Sequence, residues 1–375
     1  MVRHVRLGAG SGFWGDAQDP AQELLERGNL DYLCFDYLAE LTMALLQRQK
    51  LKRPDVGYVP DAVQTMINLL PRATAVGTKL ISNGGGVNPR AAAHRIAEGA
   101  RQAGLAGTRI ALIEGDDMLD KLDDLMGQGA PLRNMDTGDA NFAAIRDRVV
   151  CANVYTDSSG IIEGLEGEAD VVIAGRVSDN ALYVGPLAHE FGWRRDAAHI
   201  DRYAAAVTLG HIVECAAGCS GGMSSRFGEM PHMGRAGFPI LEVGADAEAV
   251  VTKLSGTGGR VDEWTIKEHL VYEVGDPRRY LMPDAVADFT SLKLIDEGED
   301  RVRVSGVRGE AAPDLWKLVV GYQDGWIGET MAFFPWPYAY DRAVKARETM
   351  LERFERMGLA AEQIHFDFAA SGPTS

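Results

Sequence analysis

The sequence predicts an α/β fold: a mostly parallel, Rossmann-like sheet in the N-terminal half, followed by a mixed or antiparallel α+β region. Three observations lead there. Short, nearly uniformly apolar runs alternate with helix-patterned segments through the first half. The residues just after those runs are rich in Gly, Asn and Asp, and from Pro239 onward the texture changes to short β-like runs punctuated by glycine. Strands alternating with helices build a parallel sheet covered on both faces, and such strands are apolar throughout.

In chain order, the first strand is expected at 2–7, running into Gly8-Ala9-Gly10-Ser11-Gly12-Phe13-Trp14-Gly15-Asp16. Asp19-Pro20 then opens a helix in the manner of an N-cap followed by proline at N1. Further strands are expected at 32–35, 79–82, 109–113, 150–154 and 171–174. Between them, residues 38–50 carry apolar side chains at helical spacing and end in Arg and Lys, which suit a helix C-terminus. Asn88-Pro89 repeats the cap-and-proline signature, and Asp179 precedes the apolar Ala181, Leu182 and Val184 as an N-cap would. The later β runs include 240–243, 302–304 and 318–320, with helices expected at 263–271 and 340–357. The alternation at 364–368 and a frayed tail at 369–375 close the chain.

With 375 residues the chain has room for an α/β ligand-binding domain over 1–235 and a mixed β/α region over 236–375 packed against it. An apolar share of 46% and 43 glycines describe a globular, loop-rich protein. No run of eighteen apolar residues and no signal-peptide core is present, so neither membrane insertion nor secretion is expected, and the cytoplasm is the expected location. Four cysteines, Cys34, Cys151, Cys215 and Cys219, are too few for a disulfide framework. A net charge of −16 argues against nucleic acid as partner, since phosphate backbones require clustered Lys and Arg.

In open parallel sheets, ligands bind beyond the carboxyl ends of the strands. Here those positions hold Gly10, Ser11 and Gly12 after the first strand, Asp36 after the second, and Asn83, Gly84, Gly85 and Asn88 after the third. The fourth is followed by Glu114 and Asp116, the fifth contributes Asn153, and the sixth leads to Arg176, Ser178 and Asp179. Caps and turns explain Asp179 or Asn83 alone, but not two acids at Glu114 and Asp116 beside a triple glycine and two asparagines. Asp36, Glu114 and Asp116 facing one crevice could bind Mg²⁺ or house a carboxyl of raised pKa working as general acid or base. Arg176 is the expected bidentate clamp for a carboxylate or phosphate, and the bare glycine backbone is expected to cradle an anion. His211 is a further acid–base candidate; His211, Glu214, Cys215 and Cys219 match no separated metal-ligand spacing, and no metal site is assigned to them. The glycine loop at 256–259, preceded by Lys253, either closes over a ligand phosphate or joins two strands, and the aromatic run at 333–338 is either an interface patch or a buried corner.

Several motifs together carry a family likeness. Gly12-Phe13-Trp14-Gly15-Asp16, Asp36-Tyr37-Leu38-Ala39-Glu40-Leu41-Thr42, Asn83-Gly84-Gly85-Gly86-Val87-Asn88-Pro89 and Glu114-Gly115-Asp116-Asp117 are four of them. Gly185-Pro186-Leu187-Ala188-His189-Glu190-Phe191-Gly192-Trp193, Gly275-Asp276-Pro277 with Tyr280, and Ala287-Asp288-Phe289-Thr290 complete the set. Over nearly its whole length the chain resembles the acyclic terpene utilisation (AtuA) family. That resemblance implies a place in the catabolism of citronellol and geraniol, which runs through CoA thioesters and a carboxylation. Many members carry a further ferredoxin-like domain or are encoded beside a small protein of that type, so a small ferredoxin-like subunit is an expected partner. Cys219 and Met223 around Ser220-Gly221-Gly222 depart from the family pattern and weaken a cysteine-metal site further.

The expected activity is that of an enzyme of acyl-CoA or branched carboxylic acid catabolism, a hydratase, dehydratase or related lyase. Asp36, Glu114, Asp116 and His211 would move protons, Arg176 would hold a carboxylate, and the glycine loops would hold the ligand's anionic tail. No cofactor is assigned beyond Mg²⁺ or a CoA thioester as substrate, and a homo-oligomer is expected. The alternative is a ligand-binding subunit with no chemistry of its own. A nicotinamide oxidoreductase is disfavoured, because Gly8-x-Gly10-x-Gly12-x-x-Gly15 meets G-x-G-x-x-G only by skipping a glycine.

Overall fold

A computed structural model describes residues 4–369. The expected start at Val2 and the tail from 370 lie outside the described residues. The chain runs β1 (His4–Ser11), α1 (Asp19–Arg27), β2 (Tyr32–Phe35), α2 (Glu40–Lys52), α3 (Pro60–Val76), β3 (Lys79–Ser82), α4 (Pro89–Gln102) and β4 (Ile110–Ile113). It continues through α5 (Leu122–Gly127), β5 (Val149–Val154), α6 (Ser159–Glu166), β6 (Val171–Ala174), α7 (Ala181–Phe191), α8 (Ile200–Glu214), β7 (Pro239–Gly244) and β8 (Ala249–Lys253). Then come α9 (Glu263–Leu270), β9 (Tyr280–Leu281), β10 (Val286–Asp288), β11 (Lys293–Gly298), β12 (Arg301–Ser305), β13 (Arg308–Glu310), β14 (Leu318–Tyr322) and α10 (Ala339–Met357).

The main sheet has nine strands in the order β11-β12-β8-β7-β1-β2-β3-β6-β4. From β1 to β4 every pairing is parallel, and from β1 through β7 to β11 every pairing is antiparallel. The parallel N-terminal sheet therefore forms as the apolar runs require. Leu33, Cys34, Phe35, Leu80, Ile81, Val171, Val172 and Ile173 are fully buried, as strands covered on both faces must be.

Two expectations change. Strand β5 does not join the parallel sheet; it pairs antiparallel with β14, Asn153 opposite Val319, in a separate two-stranded ribbon. An apolar run of six residues does not specify its partner, and here half-buried Val149 and Val150 take an edge pairing instead of a place between helices. The division expected at 235/236 falls inside one compact unit, because β7, β8, β11 and β12 extend the same sheet past it. The chain divides instead after Gln323, into a unit containing both the sheet and its helices and a second unit from Asp324 onward. Within the second unit, α10 is followed by an extended segment whose Phe368 ring meets Tyr340 edge-on, and the aromatic run is exposed, Phe333 by 85% and Trp336 by 80%. Among the described residues no helix is long and apolar enough to cross a membrane.

Helix α4 starts as its sequence dictates: Asn88 Oδ1 accepts from the Ala91 N–H at 3.4 Å with Pro89 at N1. Helix α7 does not, for Asn180 takes the cap position and frees Asp179 for another partner. Helix α8 is buried from Tyr203 to Glu214, which places its polar C-terminal end in the interior.

Candidate functional site

The loops after β2 and β3 are tied by one carboxyl–amide pair. Asn83 Nδ2 donates to Asp36 Oδ1 at 2.6 Å, the Leu38 N–H donates to the same oxygen at 3.1 Å, and Asn83 Oδ1 accepts from the Tyr37 N–H at 2.9 Å. Ser11 Oγ donates to the Asp36 carbonyl at 2.9 Å, which adds the end of β1. All three side chains are buried.

Arg176, after β6, has no exposed surface. Its Nη1 donates to the Leu38 carbonyl at 2.9 Å, Nε and Nη2 donate to the Val177 carbonyl at 2.8 and 2.6 Å, and Nη2 pairs with Asp179. Its guanidinium lies 4.2 Å from the centre of the Tyr155 ring, whose hydroxyl donates to Glu40 Oε1 at 2.9 Å. The expected open clamp is therefore a buried tie between loops, with its donors already engaged. Ser178 Oγ is likewise turned inward, donating to Asn180 Oδ1 at 3.0 Å.

Asp179 contacts this guanidinium and Asp36 and Glu214 feel its charge, and burial raises the pKa of all three carboxyls. Mutual repulsion adds to the rise, while Arg176 opposes it. Burial of several acids near one cation favours their neutral forms, while the direct pairing with Arg176 works against that for Asp179.

Asp116 stands where this interior meets an open cleft. Its Oδ2 accepts from Asn153 Nδ2 at 2.8 Å and from the Arg176 N–H at 3.1 Å, and burial outweighs both bonds to raise its pKa. The cleft, about 270 Å³, is lined by Lys50, Asn88, Arg90, Glu114, Asp116 and Asn153 among others. Glu114 is half-exposed and ion-paired with Arg90, and Lys50 Nζ donates to the Val87 carbonyl at 2.7 Å. The expected trio of acids thus does not converge: Asp36 is absent from the cleft lining, and no group of three His, Cys, Asp or Glu among the described residues is placed to hold a metal ion. Lys50 and Arg90 escaped the sequence reading, Lys50 having registered only as a helix-end charge. The signal was there in Arg90, which follows the Asn88-Pro89 cap within a strand-end loop.

The glycines have a different duty from the one expected. A Cβ on Gly10 would enter the Phe35 ring, one on Gly12 would lie 2.6 Å from the Cys215 carbonyl carbon, and one on Gly84 would strike Ala62. The Gly12 N–H donates to Asp16 Oδ2 at 2.9 Å, that of Gly84 to Ser82 Oγ at 2.9 Å, and that of Gly85 to the Ala174 carbonyl at 3.1 Å. These amides are engaged inside the protein, so close packing of strand ends, not an anion cradle, is what requires glycine here.

His211 lies on the other side of the buried acids. Its Nδ1 is 3.1 Å from Glu214 Oε1 and 3.3 Å from the Tyr280 hydroxyl. Burial lowers its pKa to about 4, and that of His269 to about 3. Both rings are neutral at physiological pH and weak bases there, each with one nitrogen suited to accept a hydrogen bond. His269 carried no separate signal in the sequence, since an isolated histidine is an ordinary core component, and Tyr280 entered only through the motif it shares with Gly275-Asp276-Pro277.

A family model for acyclic terpene utilisation family protein AtuA matches residues 5–374. No curated protein and no solved structure matches the chain.

Proposed function

Since the chain belongs to the acyclic terpene utilisation (AtuA) family, which implies involvement in that process, we propose that it is a hydro-lyase acting on a branched carboxylic acid or its CoA thioester in the Asp116 cleft. The observation that carries the reading is Asp116 itself: a carboxyl held by Asn153 and the Arg176 N–H, raised in pKa by burial, on the wall of a cleft. A carboxyl whose proton is held more tightly than usual is suited to act as a proton donor, and a second carboxyl in the same cleft can take the proton that leaves carbon. Half-exposed Glu114, paired with Arg90, is the complementary carboxylate.

In the dehydration direction Asp116 gives its proton to the substrate hydroxyl, the C–O bond breaks, and water leaves. The neighbouring C–H proton passes to the Glu114 carboxylate, and its electron pair forms the C=C bond. Hydration is the same sequence reversed, and exchange with water returns each carboxyl to its starting form. Lys50 and Arg90 attract the anionic end of the substrate. A cleft of this size encloses only the reacting end of a thioester, with the nucleotide part outside.

The test is turnover in D₂O of a panel of branched 3-hydroxy acids, enoic acids and their CoA thioesters. Wild type should wash deuterium into the carbon next to the carboxyl or thioester, and Asp116→Asn and Glu114→Gln should slow this by about 100-fold or more. Undiminished exchange in either variant contradicts the assignment. Binding of panel members without exchange, alone or with a small ferredoxin-like protein, would make the chain a ligand-binding subunit instead.

A further inference from the structure

The main sheet ends at β4 on one side and at β11 on the other. Strand β11 pairs only with β12, Lys293 opposite Ser305, Leu294 opposite Val304, Ile295 opposite Arg303 and Asp296 opposite Val302, and its register shifts only at the hairpin end, between Asp296 and Gly298. The outer edge of such a strand is a row of N–H and C=O groups that pair with any extended backbone that fits. Alternation puts Lys293 and Ile295 on one face, where Ile295 is 53% exposed. Glu297 shares that face, since its carboxylate takes Arg303, the residue opposite Ile295, at 2.6 Å. On the other face, half-buried Leu294 lines a groove of about 450 Å³ with Leu270, Val271, Phe289 and Leu292, and Val271 is exposed.

The order of charges along β11 matches its own reverse. Two copies running antiparallel about a two-fold axis through Ile295 set Lys293 of each opposite Glu297 of the other, with Ile295 opposite Ile295. Opposite charges and apolar pairs that face each other directly across an antiparallel pair are favourable, and like charges there are not. Moving the axis to Asp296 sets that carboxylate opposite itself and Ile295 opposite Glu297; moving it to Leu294 sets Lys293 opposite Ile295. Only the register centred on Ile295 satisfies both charges, and Lys293 enters no ion pair among the described residues. The β4 edge has no such match, because Ile110–Ile113 carries no charge to select a partner or a register.

We propose that β11 is a self-pairing edge: a second copy of this chain adds its own β11 antiparallel, centred on Ile295, so that one sheet runs through both molecules. A single strand pair falls short of the roughly 800 Å² per partner that stable interfaces bury, so the apolar groove beside Leu294 is enclosed as well. Because the edge pairs with itself, the assembly closes at two copies and leaves no β11 edge open to further chains.

The experiment is sedimentation velocity and thiol cross-linking on the full chain. Wild type should sediment as a dimer at micromolar concentration. Lys293→Glu sets like charges opposite each other twice per dimer and should raise the dissociation constant about tenfold or more. Ile295→Cys brings two thiols together on the axis and should oxidise to a covalent dimer, whereas Leu281→Cys, comparably exposed on β9, should not. All three positions are exposed, so the far-UV spectrum of each variant should match wild type. The proposal is overturned if wild type is a monomer at its highest soluble concentration, if Lys293→Glu associates as tightly as wild type, or if Ile295→Cys cross-links no faster than Leu281→Cys.

Discussion

Gly175 shows how closely a single residue sets the chemistry. The three atoms nearest to a Cβ added there all belong to the carboxyl of Asp116. Because that obstacle is the end of a side chain, Gly175→Ala should fold, with the Asp116 carboxyl pushed off Asn153 and the Arg176 N–H. We expect kcat to fall about as far as in Asp116→Asn while the melting temperature stays within a few degrees; unchanged kcat would mean that the position of Asp116 is immaterial. The other glycines singled out in the sequence behave differently, since Gly10 and Gly84 face ring and methyl atoms of the core. Sequence reading detects that a glycine-rich loop tolerates close approach, but the identity of what approaches depends on residues far away, such as Phe35 and Ala62.

At the scale of elements, the strands 32–35, 79–82 and 171–174 were legible to the residue, because short runs buried on both faces leave a clear apolar signature between turn residues. The partner of β5 was not legible, for its pairing with β14 joins segments more than 150 residues apart. Arg176 was recognisable as important but not as buried. Its acceptors are the carbonyls of Leu38 and Val177, and a carbonyl is present at every position of the chain. With Asp179 it ties the β6 loop to the segment leading into α2, and removing one member of a buried ion pair leaves the other uncompensated. Arg176→Met should cost about 3–5 kcal/mol in urea unfolding; a loss under 1 kcal/mol would show that this tie is dispensable.

For the whole molecule, the buried acids give a distinctive pH dependence. Asp36, Asp179 and Glu214 have folded pKa values above their ordinary 3.8 and 4.5. A raised folded pKa means the native state binds protons more tightly than the unfolded chain, so this contribution is complete below the ordinary values and is lost as pH rises through the folded ones. Glu40 acts oppositely, its pKa lowered to about 2 with help from Lys317, so its contribution is lost only in acid. The melting temperature should therefore decline from mildly acidic toward alkaline pH, and Glu214→Gln should flatten the decline. A profile that rises steadily to alkaline pH in wild type, or an unchanged slope in Glu214→Gln, would contradict the account of three acids whose pKa values burial raises near one guanidinium.

The central claim is that Asp116, protonating the departing hydroxyl, and Glu114, exchanging the proton on carbon, carry one reaction in the cleft, and deuterium wash-in, which needs both, tests it most directly. Wild type incubated in D₂O with the branched acids and thioesters should incorporate deuterium beside the carboxyl or thioester, and Asp116→Asn should do so about 100-fold more slowly or worse. Equal incorporation by the two proteins would contradict it.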